Sequence, residues 1–321
     1  MTMAAGFDRR TFVIGAGAAA GAAALSATFP AGAVQAALPA GASVYSPLPR
    51  AVRVADTRTS DSLPYQRLGP DRIRIVLAGQ YDIPDDAVAV VATVAAVNRS
   101  EPNYVSVFPS TNDVPFVSNL NLSPGEVNAN LVTTKVGDGG AIDVYSLVPC
   151  DVVVDVSGYY TPVSGPVAAG RYQGLNQAQR VLDTRPDYVG DAAVAVVDVG
   201  AAGVPQGASS VVLNLTATET TAPGFCTVFP YSDPEPPFTS SLNWSAAGAT
   251  RASAVIAPIG PERWVKVYTY TAAKLIVDVT GYFTGPGHPE STEGTFVALD
   301  PVRIMDTRRA DQIDPLTPGG V

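Results

Sequence analysis

The sequence of 321 residues contains one histidine, two cysteines and three methionines, and only 15% of it is charged. The single histidine, His288, lies in the turn-like run Gly285-Pro-Gly-His-Pro289. A His-rich metal site or a Ser-His-Asp triad therefore has almost nothing to draw on. Basic residues are also few: Lys and Arg total 20 against 29 Asp and Glu, a formal charge of −9, and the only lysines are Lys135, Lys266 and Lys274. No basic stripe could neutralise a phosphate backbone, so nucleic acid is not an expected partner. After residue 36 no window shows a capped 3.6-residue period, which argues against helices. Hydrophobic residues still reach 46%, with 29 Gly and 28 Pro. That is enough apolar material for one or two packed domains and too little charge for a disordered chain.

Residues 1–36 read as an address. Arg9-Arg10-Thr11-Phe12-Val13 leads into an uncharged Ala- and Gly-rich stretch that ends at Phe29. Twin arginines before a mildly apolar segment are the signature of twin-arginine export. Small-residue sites at Ala31-Gly-Ala33 and Val34-Gln-Ala36 place the mature start near Ala37. The stretch is too weakly hydrophobic for a membrane span. The expected location is extracellular or cell-wall associated, with no stable membrane span after cleavage.

From there the chain repeats itself. Arg53-Val-Ala-Asp-Thr-Arg58, Arg180-Val-Leu-Asp-Thr-Arg185 and Arg303-Ile-Met-Asp-Thr-Arg308 recur at spacings of 127 and 123. Tyr104-Val-Ser-Val-Phe-Pro109 matches Phe225-Cys-Thr-Val-Phe-Pro230, and Ser118-Asn-Leu-Asn-Leu122 matches Ser240-Ser-Leu-Asn-Trp244. Val152-Val-Val-Asp-Val-Ser-Gly-Tyr-Tyr160 matches Leu275-Ile-Val-Asp-Val-Thr-Gly-Tyr-Phe283. The expected organisation is a first β-domain over 43–161, a linker over 162–171, a second domain over 172–284, a linker over 285–294, and the start of a third repeat over 295–321. The third repeat begins a longer protein's next module or docks on a neighbouring repeat, and the first is favoured. Both linkers are rich in Pro, Gly and Ser, which makes them semi-rigid.

Each repeat reads as about eight short strands rich in Val, Ile, Thr and aromatics, separated by Gly and Pro turns. The fold class is all-β: tandem antiparallel β-sandwich domains, jelly-roll-like, with a closed barrel or trefoil as the alternative. The run Arg-Val-x-Asp-Thr-Arg, the segment Val211-Val-Leu-Asn-Leu-Thr216, Phe-Pro, Ser-Leu-Asn and Val-Asp-Val-x-Gly-Tyr resemble the tandem repeats of exported, mostly uncharacterised actinobacterial surface and secreted proteins. The resemblance implies location and architecture, and it carries no catalytic residues.

Asp155 and Asp278 lie amid apolar strands, where an unpaired carboxylate would be costly. Alternation sets Val152, Val154 and Val156 on one face and Asp155 on the other, with Leu275, Val277 and Val279 opposite Asp278. A guanidinium binds a carboxylate bidentately, so Arg53 or Arg58, and Arg180 or Arg185, are the expected partners. With Asp56 and Asp183 of the repeated motif, these residues form a candidate structural clasp. Tyr145, Trp264, Tyr268 and Tyr270 are candidate ligand contacts, weighed against core packing. Asn121 and Asn243 recur and begin Asn-x-Ser triplets, as does Asn98, while Asn214 begins one with Thr; structural use is their default reading. Cys150 and Cys226 fall at non-equivalent positions, so a bridge between them is not expected. No acidic run has the ligand spacing of a calcium site, and neither cofactor nor metal is expected.

The functional expectation is a non-enzymatic exported binding or structural module, with cell-wall polysaccharide or another surface protein as partner. The rival is an exported glycan-acting hydrolase, or the accessory region of one whose catalytic domain lies beyond residue 321.

Overall fold

The computed structural model describes residues 37–58, 64–98, 101–111, 113–303 and 306. The expected signal segment, 1–36, lies outside the described residues. Repeat one contributes β1 (Ala42–Asp56), β2 (Tyr65–Arg67), β3 (Arg72–Val76), β4 (Ala89–Val97), β5 (Asn103–Pro109), β6 (Leu120–Leu122), β7 (Val127–Lys135), β8 (Ala141–Ser146) and β9 (Asp151–Pro162). Repeat two contributes β10 (Tyr172–Asp183), β11 (Ala193–Asp198), β12 (Ser210–Thr218), β13 (Gly224–Pro230), β14 (Leu242–Trp244), β15 (Arg251–Pro258), β16 (Trp264–Thr269) and β17 (Lys274–Phe283). A two-residue strand, β18 (Phe296–Val297), follows.

Each repeat is a sandwich of two antiparallel sheets. In repeat one, β18-β1-β9-β4-β7 faces β2-β3-β8-β5-β6; in repeat two, β10-β17-β12-β15 faces β11-β16-β13-β14. Alternation decides which residues meet between the sheets. Val90, Val94, Val152, Val154 and Val156 from one sheet bury against Ile73, Ile75, Val107, Ile142 and Val144 from the other. Leu213, Leu215, Leu275, Val277 and Val279 do the same opposite Cys226, Val265 and Val267 in repeat two. Neither cysteine is bridged: Cys226 is buried in that core, and Cys150 is partly buried.

The glycine of Val-Asp-Val-x-Gly-Tyr is fixed by a close approach. A Cβ at Gly158 would collide with the Tyr45 ring, and one at Gly281 with the Tyr172 ring. Each tyrosine lies on the bare backbone, and its hydroxyl donates to the preceding residue's carbonyl, Tyr45 to Ser157 at 3.3 Å and Tyr172 to Thr280 at 3.5 Å.

The two repeats share a third, smaller core. Tyr45 and Tyr160 of repeat one, Phe283 of repeat two and Phe296 of the next segment cluster together with Ala89, Val91 and Ile256. Ring centroids are 4.5 Å apart for Tyr45 and Phe283 and 4.3 Å for Tyr160 and Phe296. Such pairs contribute about 0.5–1.5 kcal/mol each beyond their buried area. The segments 162–171 and 285–294 are joined to one another. Val167 pairs with Ser291, and the buried guanidinium of Arg171 donates to the carbonyls of Val167 (2.8 Å), Pro289 (2.7 Å) and Glu293 (3.1 Å). The opening of the third repeat docks on the first: β18 pairs with β1 at Ala42↔Val297 and Ser43↔Phe296. No helix among the described residues is long and apolar enough to cross a membrane.

Candidate functional site

The Asp-Thr-Arg motif ends β1 and β10, each of which pairs with the strand carrying Val-Asp-Val. Register places Arg53 opposite Asp155 and Arg180 opposite Asp278. Arg53 grips Asp155 through Nε at 2.9 Å and Nη2 at 3.2 Å, and reaches Asp56 at 3.2 Å. Arg180 repeats this with Asp278 at 2.8 and 3.3 Å and with Asp183 at 3.5 Å. Arg58 and Arg185 take the other role, closing on Asp56 and Asp183 through both backbone and guanidinium. The threonine between them ties the motif to the neighbouring strand: Thr57 Oγ1 accepts from Val152 N and Thr184 Oγ1 from Leu275 N, at 2.8 and 2.9 Å. All four polar residues of Arg-x-x-Asp-Thr-Arg are thus engaged in both repeats.

Burial and arginine contacts compete at each carboxyl. Burial pushes the Asp155 carboxyl above its ordinary value, against the pull of Arg53. The hydrogen bond from Arg58 holds Asp56 below its ordinary value, and that from Arg185 holds Asp183 down at about 2.

The clasp of repeat one forms a wall of a groove whose other wall belongs to repeat two. Arg53 and Arg58 face Phe238, Phe225, Tyr268 and Tyr270 across it, with Asn243 at its margin. Phe225 and Tyr270 stack at 5.1 Å with 9° between planes, and the Arg53 guanidinium lies 5.3 Å from the Phe238 centroid. Ser240 Oγ donates to Asn243 Oδ1 at 2.8 Å, which orients the amide. A second groove repeats the plan in repeat one: Tyr104, Phe116, Ser118 and Asn121 are faced by Arg303, whose guanidinium lies 5.7 Å from the Phe116 centroid. Arg303 also reaches Asp306 at 2.7 Å, as Arg53 reaches Asp56. Phe116 and Phe238 are each 91% exposed, although both are large and apolar.

Of the aromatic candidates, Tyr268 and Tyr270 line the groove, and Tyr145 lies 6.0 Å from Tyr104 at the matching place in repeat one. Trp264 stands apart at the start of β16, edge-on to Tyr231 at 4.9 Å. Phe116 and Phe238 escaped the sequence reading. Their signal was present: Pro115-Phe116-Val-Ser118 and Pro237-Phe238-Thr-Ser240 are one more match between the repeats. Also unforeseen was Asp143, fully buried beneath Arg72 and Arg74. Hydrogen bonds from Arg74 and Arg72 outweigh its burial and hold its carboxyl below the ordinary value. Its β8 position corresponds to Lys266 in repeat two, so this ion cluster belongs to one repeat alone.

No protein-family model matches the chain, and no curated protein matches it. Among solved structures, the N-terminal CBM22-1-CBM22-2 tandem domain of Xyn10C from Paenibacillus barcinonensis is similar over 75% of this chain and 93% of that one, at 9% identity and a TM-score of 0.20. A likeness at that score says nothing of this chain's ligand. Among the described residues no group of three or more His, Cys, Asp and Glu could hold a metal ion. The grooves can offer aromatic faces, a fixed amide and guanidinium groups already neutralised by carboxylates.

Proposed function

We propose that this chain is a non-enzymatic exported repeat protein that acts at the cell surface as a binding module for polysaccharide, in keeping with its resemblance to actinobacterial surface repeats. The observation that supports this reading is the repeated groove, with an exposed phenylalanine beside an arginine and an asparagine in each repeat. Sugar rings present C–H faces that suit aromatic rings and hydroxyls that suit amides and guanidinium groups. Neutralised arginines favour an uncharged or weakly charged glycan over a polyanion. Two weak grooves on one chain raise apparent affinity through effective concentration, without any new contact.

The test is retention on purified cell-wall polysaccharide and peptidoglycan. The native chain should be retained, and Phe238→Ala with Tyr270→Ala should lose about 1–3 kcal/mol of binding while remaining folded, since both rings are exposed. Retention on neither material, together with measurable glycoside hydrolysis, would overturn the proposal.

A further inference from the structure

Three opening segments meet where the repeats join; the first leans on the second and the second on the third in one direction, and an antiparallel pairing joins the third to the first. Tyr45 N–H of the first donates to Gly170 O of the second at 2.9 Å, and Tyr172 N–H of the second donates to Gly294 O of the third at 2.8 Å. The third returns to the first through Phe296–Val297 beside Ala42–Ser43. Gly41, Gly170 and Gly294 hold the same left-handed backbone, at φ of +76°, +79° and +80°. At Gly170 and Gly294 a Cβ would strike the backbone of the preceding opening segment. The three contacts close a cycle, the mark of head-to-tail association that forms a ring and not a filament.

The clasps obey the same direction. Repeat one's clasp lies under repeat two's Pro-Phe loop: Phe238 meets Arg53, and Ser240 lines the same small cavity as Asp155. The third motif lies under repeat one's Pro-Phe loop: Phe116 meets Arg303, and its carbonyl accepts from Arg303 at 3.0 Å. Both of these motifs are covered by the loop of the next module in the cycle. Repeat two's clasp has no such cover among the described residues. Arg180 is 50% exposed against 20% for Arg53, and Asp278 is 18% exposed against 3% for Asp155.

We infer that the open clasp face around Arg180 and Asp278 is the docking surface for the Pro-Phe loop of a third module of this same repeat type, which completes a three-module ring. The guanidinium offers the cation and the incoming ring the π face, as at the other two positions. This inference stands apart from the polysaccharide reading and needs no sugar for its test.

The test reads the rate at which phenylglyoxal modifies each arginine, by mass spectrometry. In the chain as it is, Arg180 should react faster than Arg53. In a fusion that carries the chain through Arg308 and then repeats residues 186–284, the Arg180 rate should fall to that of Arg53. It should rise again when the fused copy of Phe238 is changed to Ala. A folded third module that leaves Arg180 fully reactive would overturn the inference. So would protection that grows with concentration of the unextended chain, which would assign the face to a second copy. If the fused module does not fold, a peptide of residues 113–122 at millimolar concentration should slow Arg180 modification and its Phe116→Ala version should not; equal rates with both would overturn the inference.

Discussion

The same clasp exists twice and is buried once. In repeat one, Arg53, Asp56 and Asp155 lie beneath a loop of repeat two; in repeat two, Arg180, Asp183 and Asp278 keep nearly the same distances in the open. Local sequence builds the contact, and neighbours set its energetic weight. A buried carboxylate depends on its partner because removing one member leaves an uncompensated charge away from water. An exposed pair is worth little, because water replaces either partner and salt screens both.

The strongest way to break this comparison is to remove the two arginines in turn. Arg53→Ala should lower unfolding stability by about 3–5 kcal/mol, since Asp155 stays buried. Arg180→Ala, like Asp278→Asn, should lower it measurably but by far less, because water reaches this pair. Equal losses in urea melts of Arg53→Ala and Arg180→Ala would erase the distinction, and an unchanged melt for Asp278→Asn would remove the clasp from repeat two.

A steric version follows at the motif glycines. Gly158→Ala forces a methyl against the buried Tyr45 ring, an overpacking expected to lose about 1–3 kcal/mol. Gly281→Ala should lose less at the ring, because Tyr172 is exposed and can turn outward, with the Gln173 carbonyl at 2.7 Å also having to shift. Thermal melting of the pair ranks them, and the reverse order would contradict the packing described.

The smallest effect concerns acid. Asp183 is held at about 2 against an ordinary 3.8, so its contribution is present above the unfolded value and is lost as pH falls from 3.8 through about 2. Asp183→Asn should therefore lower the melting temperature slightly near neutrality, where the contribution is present, and flatten its fall across that window. Asp155 carries the opposite sign: its raised folded value is a handicap to the ionised form that lessens as pH falls. A native profile that Asp183→Asn does not alter would show that Arg185 does no work on the folded carboxylate.

The clasp could be read from the chain because its parts obey a period of two. Asp155 had to point away from Val154 and Val156, and an arginine motif recurred with it in both copies. The same parity set Trp264 and Tyr268 on one face of β16, with Tyr270 just past its end. It could not tell that four residues of strand, about 13 Å at 3.3 Å per residue, would carry Trp264 away from the groove. The choice between the two arginines was also hidden, because it depends on the register of β1 against β9. Phe116 and Phe238 looked like loop residues, and nothing local marks a loop as the roof over another module's carboxylate.

By itself the sequence determined the all-β class and the inward face of the two Val-Asp-Val strands, since backbone alternation and turn chemistry act over a few residues. Tertiary structure alone decided that the two sandwiches share an aromatic hub, that β18 returns to β1, and that one clasp is roofed and its copy open. Those outcomes depend on contacts between residues more than 100 positions apart, whose partners are set by how whole sheets meet and not by any neighbouring side chain.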